Sequence, residues 1–364
     1  MKKKKVIVCG TGFGKVYLNA IERMEDYEIA GILGTGSKRT MELAKTFAVP
    51  CFTDPEDKNI EADCACVIVP NASGGGNGTA IAKAFLDRGI PTLLEHPAHE
   101  REIVACLKSS KTVPFMLNPF YRYISPVRRF LEAAAIIGKQ AALINASLEC
   151  AIHVLYDGLD MLGCAIGDVT SWKLGSVASI PKRKACGGGN KTLGAVIGDT
   201  PVMITVNTEV DKNDPDHPLH LYHRIELTFS TGRLCLVNTH GPVVWMPFLR
   251  IPRNQNETME LERLGDEMKI PSGIIIGKGT APTIVETFEE VWTGGVSRAL
   301  EELMGQGRNK KMQMAQFQIF ISRLWSEVCQ AVGYSEFVSY DSTGNVLSTH
   351  KALEELNQKY SEEF

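Results

Sequence analysis

The sequence predicts an α/β protein, an N-terminal Rossmann-type doubly wound parallel sheet followed by an α+β domain whose sheet is mainly antiparallel. Three observations predict it. Short apolar runs alternate with helical patterns up to about residue 120. A glycine-rich turn directly follows the first run, and beyond residue 121 the apolar period changes to two. With 364 residues the chain is long enough for two cores, placed at 1–120 and 121–364.

The first apolar run, residues 6–9, is continuous and bounded by glycine, as a strand buried on both faces requires. Val16, Tyr17, Ala20, Ile21 and Met24 then fall on one helical face. Further strands are expected at 29–33, 51–52, 65–69, 90–94 and 113–117, with helices near 38–47, 79–88 and 100–109. Strands separated by helices join through right-handed crossovers, which makes the sheet parallel. In the second half, 204–210 and 222–229 alternate at period two, and 233–238 follows. Ser230-Thr231-Gly232 between the last two is a hairpin signal. Helices near 283–305 and 311–331 are expected to cover this sheet, and 181–195 and 252–258 to be loops.

The composition is 44% hydrophobic and 22% charged with a net charge of -3. It gives no electrostatic footprint for nucleic acid or an anionic membrane. The basic run at Lys2 to Lys5 lacks interleaved aromatics and reads as a solvated end. No stretch approaches the ~20 apolar residues of a membrane span, and nothing resembles a signal peptide. The ten cysteines mostly sit in apolar runs, as reduced thiols of a cytoplasmic protein do. Cys64-Ala65-Cys66 has no second pair at ligand spacing. His217, His220 and His223 repeat every three residues, which alternates faces on a strand, so a structural role is expected and no metal.

Gly10-Thr11-Gly12-Phe13-Gly14 links the first strand to the first helix. Gly10 permits the turn and Gly12 lets the backbone approach a pyrophosphate resting on the helix N-terminus. The position of the usual third glycine holds Lys15, and Gly14 comes one residue early. At the end of the second strand, where a carboxylate would hold the ribose of NAD, stand Ser37, Lys38 and Arg39. A hydroxyl and two cations suit the 2′-phosphate of NADPH instead. Val69, Pro70 and Asn71 end the fourth strand, and Gly74, Gly75 and Gly76 beyond them form either a ligand-facing loop or a plain turn. Glu95-His96-Pro97 ends the fifth strand, while Asn118-Pro119-Phe120-Tyr121 ends the sixth. Both face the ligand crevice at carboxyl ends of strands. His96 and Tyr121 are the groups there able to donate a proton beside a hydride acceptor.

These motifs and their order resemble the glucose–fructose oxidoreductase-like (Gfo/Idh/MocA) superfamily. Most members have a lysine where His96 stands, and an active-site histidine where Asp160 falls. The closer resemblance, over nearly the whole length, is to the thiazolinyl imide reductases of yersiniabactin- and pyochelin-type siderophore assembly lines. It runs through Phe13-Gly14 with Tyr17-Leu18-Asn19-Ala20, Gly36-Ser37 with Arg39, and Glu95-His96-Pro97 with His99. It continues through Asn118, Phe120-Tyr121, Leu155-Tyr156, Leu159-Asp160, Asp214-Pro215-Asp216, His223-Arg224, Gly241-Pro242-Val243 with Trp245, and Ser322-Arg323-Leu324-Trp325.

The resemblance implies NADPH-dependent reduction of a thiazoline C=N to a thiazolidine. The substrate would be tethered through phosphopantetheine to a carrier domain of a nonribosomal peptide synthetase. The acids map onto Tyr121 and His96, with Asp160 beside them, and a homodimer through the second sheet is implied. Two rivals stand beside it: a sugar or polyol dehydrogenase, and a non-catalytic dinucleotide-sensing regulator. The replacements at His96 and Asp160 weigh against the first, and His96 with Tyr121 at one crevice weighs against the second.

Overall fold

Val6, Ile7, Val8 and Cys9 are fully buried, as expected of a strand covered on both faces. They form most of β1 (Lys4–Cys9), which pairs in parallel with β2 (Tyr27–Leu33) and β4 (Cys64–Val67). The computed structural model describes residues 2–111, 113–179, 189–260, 262, 265–305, 307–340 and 345–361. With β3 (Cys51–Phe52), β5 (Thr92–Glu95) and β6 (Phe115–Asn118), the sheet has six strands in the order β3-β2-β1-β4-β5-β6. The order reverses between β1 and β4, which opens a crevice at their carboxyl ends. The crossovers carry α1 (Gly14–Glu22), α2 (Lys38–Thr46), α3 (Gly78–Asp87) and α4 (Glu100–Ser109).

The second sheet has eight strands. After α5 (Ser125–Gly138) come β7 (Leu143–Ala151), α6 (Leu155–Ile166), β8 (Trp172–Ser179), β9 (Asn190–Ile197) and β10 (Thr200–Asn207). Then follow β11 (Glu209–Asp211), β12 (His223–Phe229), β13 (Gly232–Leu236), β14 (Val243–Pro247) and β15 (Ile274–Ile275). The order is β15-β14-β13-β12-β7-β10-β9-β8, antiparallel except where β10 runs parallel to β7. The hairpin at Ser230 and Thr231 forms as expected, with Phe229 opposite Gly232. The expected strand at 204–210 divides into β10 and β11. The stretch 180–188 lies outside the described residues, and the loop expected at 181–195 gives way to β9 from Asn190.

The helices correct one expectation. After the short α7 (Ile284–Glu286) and a π-helical turn at Thr287–Val291, α8 (Trp292–Met304) does not cover the second sheet. It packs on α1 and on the 3-10 turn Phe120–Tyr123. The long α9 (Arg308–Val332) lies against α6 and α4 and reaches β6 and β8. The sheet is covered by α5 and α6 instead. The apolar period of 296–303 predicts a buried face, and Val296, Ala299, Leu300 and Leu303 are buried. A period does not name the partner. The chain closes with β16 (Glu336–Val338), parallel to β11, and α10 (Val346–Tyr360). Among the described residues no helix is long and apolar enough to cross a membrane.

Candidate active site

The glycine turn is built by close approach. Gly10 has φ of 98°, and a Cβ there would lie 2.3 Å from the Ile68 carbonyl oxygen. Gly12 is the opposite case: a Cβ would meet nothing within 4 Å. That open space lies before α1, whose first turn has no side-chain cap. An uncapped helix start beside open space fits a pyrophosphate. Gly14 takes up packing, since a Cβ there would sit 3.5 Å from Val8. The loop after β4 is a close-packed turn, because a Cβ on Gly76 would come 2.0 Å from the Pro70 carbonyl oxygen.

A cleft of about 1450 Å³ starts at this turn, where Gly10, Thr11, Gly12, Phe13, Ser37 and Arg39 line it. It passes Val69, Pro70 and Asn71, then Glu95 and His96, and ends at His153, Trp325 and Tyr334. Ser37 caps α2, accepting the Thr40 N–H. Arg39 Nε donates to Thr11 Oγ1 at 3.1 Å, which draws the guanidinium toward the glycine turn. Lys38 departs from expectation: its side chain is 91% exposed and its Nζ lies 3.8 Å from Glu42. At a helix start the adjacent positions 38 and 39 diverge by about 100°, so only one of the two cations faces the cleft. Gly14 and Asn118 also lie outside the lining.

Asn71 ties two strand ends together. Its Nδ2 donates to the carbonyls of Glu95 at 2.7 Å and Pro97 at 3.0 Å. Behind Glu95, Tyr17 donates its hydroxyl proton to Oε2 at 2.6 Å and accepts from Asn118 Nδ2 at 2.5 Å. Asn118 Oδ1 remains buried without a partner. Thus the first helix and the fifth and sixth strands meet in one polar chain.

His96 closes that chain. Its Nδ1 lies 2.7 Å from the Asn118 carbonyl oxygen and 3.1 Å from Glu95 Oε1, and its Nε2 lies 2.8 Å from Asp157 Oδ2. A carbonyl can only accept, so Nδ1 carries a proton. The carboxylate facing Nε2 calls for a second. Burial works against the imidazolium, but Asp157 and then Glu95 outweigh it and hold His96 protonated well above the usual histidine range. Burial raises the Asp157 carboxyl in turn, with His96 opposing. The contact is an ion pair rather than an aligned hydrogen bond, because neither Asp157 oxygen has a hydrogen-bond partner.

Tyr121 does not line the cleft, although the sequence placed it there with His96. Its ring stands edge-on to Phe120 at 5.1 Å and tilted to His223 at 5.3 Å, and the residue is 8% exposed. Its hydroxyl has no hydrogen-bond partner among the described residues. Burial, with the charges of Asp157 and Glu95, raises the phenol's pKa and keeps it neutral.

Asp160 is a correction. It faces away from His96 and binds Arg122, with Oδ1 3.1 Å from Nη1. Burial raises its pKa to about 6, against the pull of Arg122. Asp157, three residues earlier on α6, is the carboxylate that meets the imidazole. The sequence signal was present in the same short stretch, but every residue from Leu155 to Gly163 is buried, so no polar face distinguishes the two acids.

The histidines of the second half are held locally. His223 is fixed by Thr239 Oγ1 at 3.0 Å and the Val154 carbonyl at 2.9 Å, and burial lowers its pKa to about 4. His220 Nε2 accepts the Asp211 N–H at 2.8 Å, and His217 Nδ1 accepts that of Leu219 at 3.2 Å. Among the described residues no group of three or more His, Cys, Asp or Glu is arranged to hold a metal.

Comparison with known proteins agrees with this architecture. Residues 4–115 match the profile of an oxidoreductase family with an NAD-binding Rossmann fold, Gfo/Idh/MocA. Residues 140–246 match the C-terminal profile of thiazolinyl imine reductases, Irp3-like. No curated protein matches the chain. Among solved structures, an Agrobacterium radiobacter oxidoreductase in complex with NAD+, L-tartaric acid and magnesium superposes with a TM-score of 0.63 at 12% identity, over 88% of this chain and 94% of that one. A Corynebacterium glutamicum myo-inositol dehydrogenase gives 0.60 at 14% identity, over 90% and 97%. The UDP-N-acetylglucosamine 3-dehydrogenase GnnA of Acidithiobacillus ferrooxidans gives 0.63 at 11%, over 91% and 98%. At these identities the likeness is one of fold alone. With a glycine turn at the switch point and two consecutive profiles along its length, the chain matches the Gfo/Idh/MocA oxidoreductases in its dinucleotide-binding part and the C-terminal domain of thiazolinyl imine reductases in its second part.

Proposed function

We propose that this oxidoreductase reduces a thiazoline C=N to a thiazolidine with NADPH, on an intermediate tethered through phosphopantetheine to a nonribosomal peptide synthetase carrier domain. In this reading residues 1–120 bind the dinucleotide, and 121–364 bind substrate and pair two copies through the second sheet. The observation that carries it is the placement of the His96 ring between two acceptors, the Asn118 carbonyl on one nitrogen and Asp157 on the other, which favours the imidazolium. Reduction of C=N consumes a proton at nitrogen. Alcohol oxidation needs a base at that place, and an imidazolium held between acceptors is no base. The Irp3-like match over residues 140–246 supports the same substrate class.

A bound nicotinamide dinucleotide supplies the hydride. Gly10, Thr11, Gly12 and Phe13 would hold its pyrophosphate, Ser37 and Arg39 its 2′-phosphate, and Asn71 with Glu95 would set the crevice wall. Tyr121, buried beside the cleft rather than in its wall, would give its hydroxyl proton to a ring nitrogen that reaches past the lining, as a neutral phenol with no competing acceptor among the described residues. His96 keeps the neighbourhood cationic and returns the proton from its Nε2–H, with Asp157 as its counter-charge. Protonation of nitrogen needs no alkoxide to be stabilised, so the chemistry has no use for the lysine found at the His96 position in most of the family.

The test is NADPH oxidation by the purified protein with a thiazoline thioester, set beside myo-inositol and simple sugars with NAD+ and NADP+. Thiazolidine formation, followed by mass spectrometry, is expected. Turnover of polyol or sugar with none of the thioester would overturn the proposal.

A further inference from the structure

Beyond His96 the substrate end of the cleft is lined by Ile152, His153, Trp325, Cys329, Gln330 and Tyr334, among others, and, among the described residues, by no Lys, Arg, Asp or Glu. His99 and Ser326, at this end, also line a second hollow of about 480 Å³. The other residues of that hollow are Glu100, Arg101, Arg323 and Glu327, so an occupant leaving the cleft this way meets charge for the first time here.

The charges are unevenly engaged. Arg323 is paired with Glu100. Glu327 Oε2 accepts the Trp172 indole N–H at 2.7 Å. Arg101 is exposed and makes no hydrogen bond or ion pair among the described residues. Both acids are thus occupied while one guanidinium stays available, and a guanidinium matches a phosphate in charge and geometry. An uncharged end of the cleft opening onto an arginine unpaired among the described residues suits a long neutral arm that ends in an anion.

We propose that this groove is the exit path of the substrate's tether, with Arg101 as the residue that binds the phosphodiester of the phosphopantetheine arm and Arg323 flanking it. The proposal rests on the function stated above, since it presupposes a tethered substrate. The neutral walls take the amide-containing arm, whose groups hydrogen-bond to Ser326 and His99 rather than pairing with charge. The cofactor's own phosphates are expected at the far end, beside Gly12 and Arg39.

The experiment compares kcat/KM for one thiazoline thioester presented on pantetheine 4′-phosphate and on pantetheine. The wild-type protein is expected to favour the phosphorylated arm by about tenfold or more, the usual scale of one charge-assisted contact. Arg101→Ala should bring the ratio close to one through KM, and Arg101→Lys should keep part of the preference. Turnover of both arms with no preference overturns the groove and leaves the reductase standing. A preference that survives Arg101→Ala also overturns it. If neither thioester is reduced, the reductase reading falls, and titration of the NADPH-loaded protein with pantetheine 4′-phosphate decides the groove alone. Binding weakened by Arg101→Ala then supports it, and no binding, or binding indifferent to the substitution, overturns it.

Discussion

Nε2 of His96 lies 2.8 Å from Oδ2 of Asp157, although one residue follows a strand of the first sheet and the other sits in the opening turn of α6. Asp157 is buried and His96 part-exposed in the cleft wall, and the pair joins the two halves of the chain at the crevice. The imidazole is held protonated above its ordinary range by Asp157 and Glu95, and burial raises the carboxyl above its own.

Asp157→Asn keeps the shape and removes the counter-charge. The His96 value should then fall, and the upper limit of the kcat–pH profile should move to lower pH. The sign for stability follows from linkage. A folded-state value raised above the unfolded one stabilises fully below the unfolded value, ~6.5 for histidine, and the benefit is lost as pH rises through the folded value. The stability gap between wild type and Asp157→Asn should therefore be widest in mildly acidic buffer and close toward alkaline pH. Urea midpoints across the pH range check this, and a gap that widens with pH would contradict it.

Tyr121 and His96 separate by substitution. Tyr121→Phe keeps the ring against Phe120 and His223 and removes only the hydroxyl. Loss of a general acid costs roughly 10²–10⁴-fold in rate, with cofactor affinity little changed. His96→Asn should cost less if the imidazole acts behind the phenol. Single-turnover rates distinguish the two, and full activity in Tyr121→Phe beside a large loss in His96→Asn would assign the proton to His96.

Arg39 lines the cleft beside the glycine turn, and Lys38 points to solvent. Arg39→Ala should weaken NADPH binding by about 10- to 100-fold and NADH binding hardly at all. Lys38→Ala should leave both close to wild type. Fluorescence titration measures all four values, and equal weakening of both cofactors by Arg39→Ala would count against the 2′-phosphate assignment.

The two first glycines should fail differently. Gly10→Ala forces a Cβ toward the Ile68 carbonyl at a positive φ, so the melting temperature should drop. Gly12→Val meets only open space, so the fold should survive while cofactor binding is lost to a side chain standing where the pyrophosphate rests. Calorimetry with cofactor titration separates these outcomes. Normal NADPH affinity in folded Gly12→Val would show that the dinucleotide lies elsewhere.

Much of the first sheet was legible because its strands are buried on both faces, and an apolar run such as Val6 to Cys9 has few other uses. The residues at its strand ends followed from the switch-point rule, and Gly12, Asn71, Glu95 and His96 do share one cleft. The second half was less legible. β7, α5 and α6 were not assigned by period, and β10 pairs with β7 across a connection that contains two other strands and a helix.

The sequence by itself determined where most of the parallel strands lie, the glycine turn and the two residue types offered for proton transfer, because local period and backbone geometry are written in neighbouring residues. Only the tertiary structure decided that Asp157 rather than Asp160 meets His96, that Lys38 faces solvent, and that α8 packs on α1. Each depends on which face of a helix meets a partner distant in sequence. Positions three apart on a helix differ by about 60°, a rotation that α6, buried on all sides from Leu155 to Gly163, leaves to its surroundings to fix.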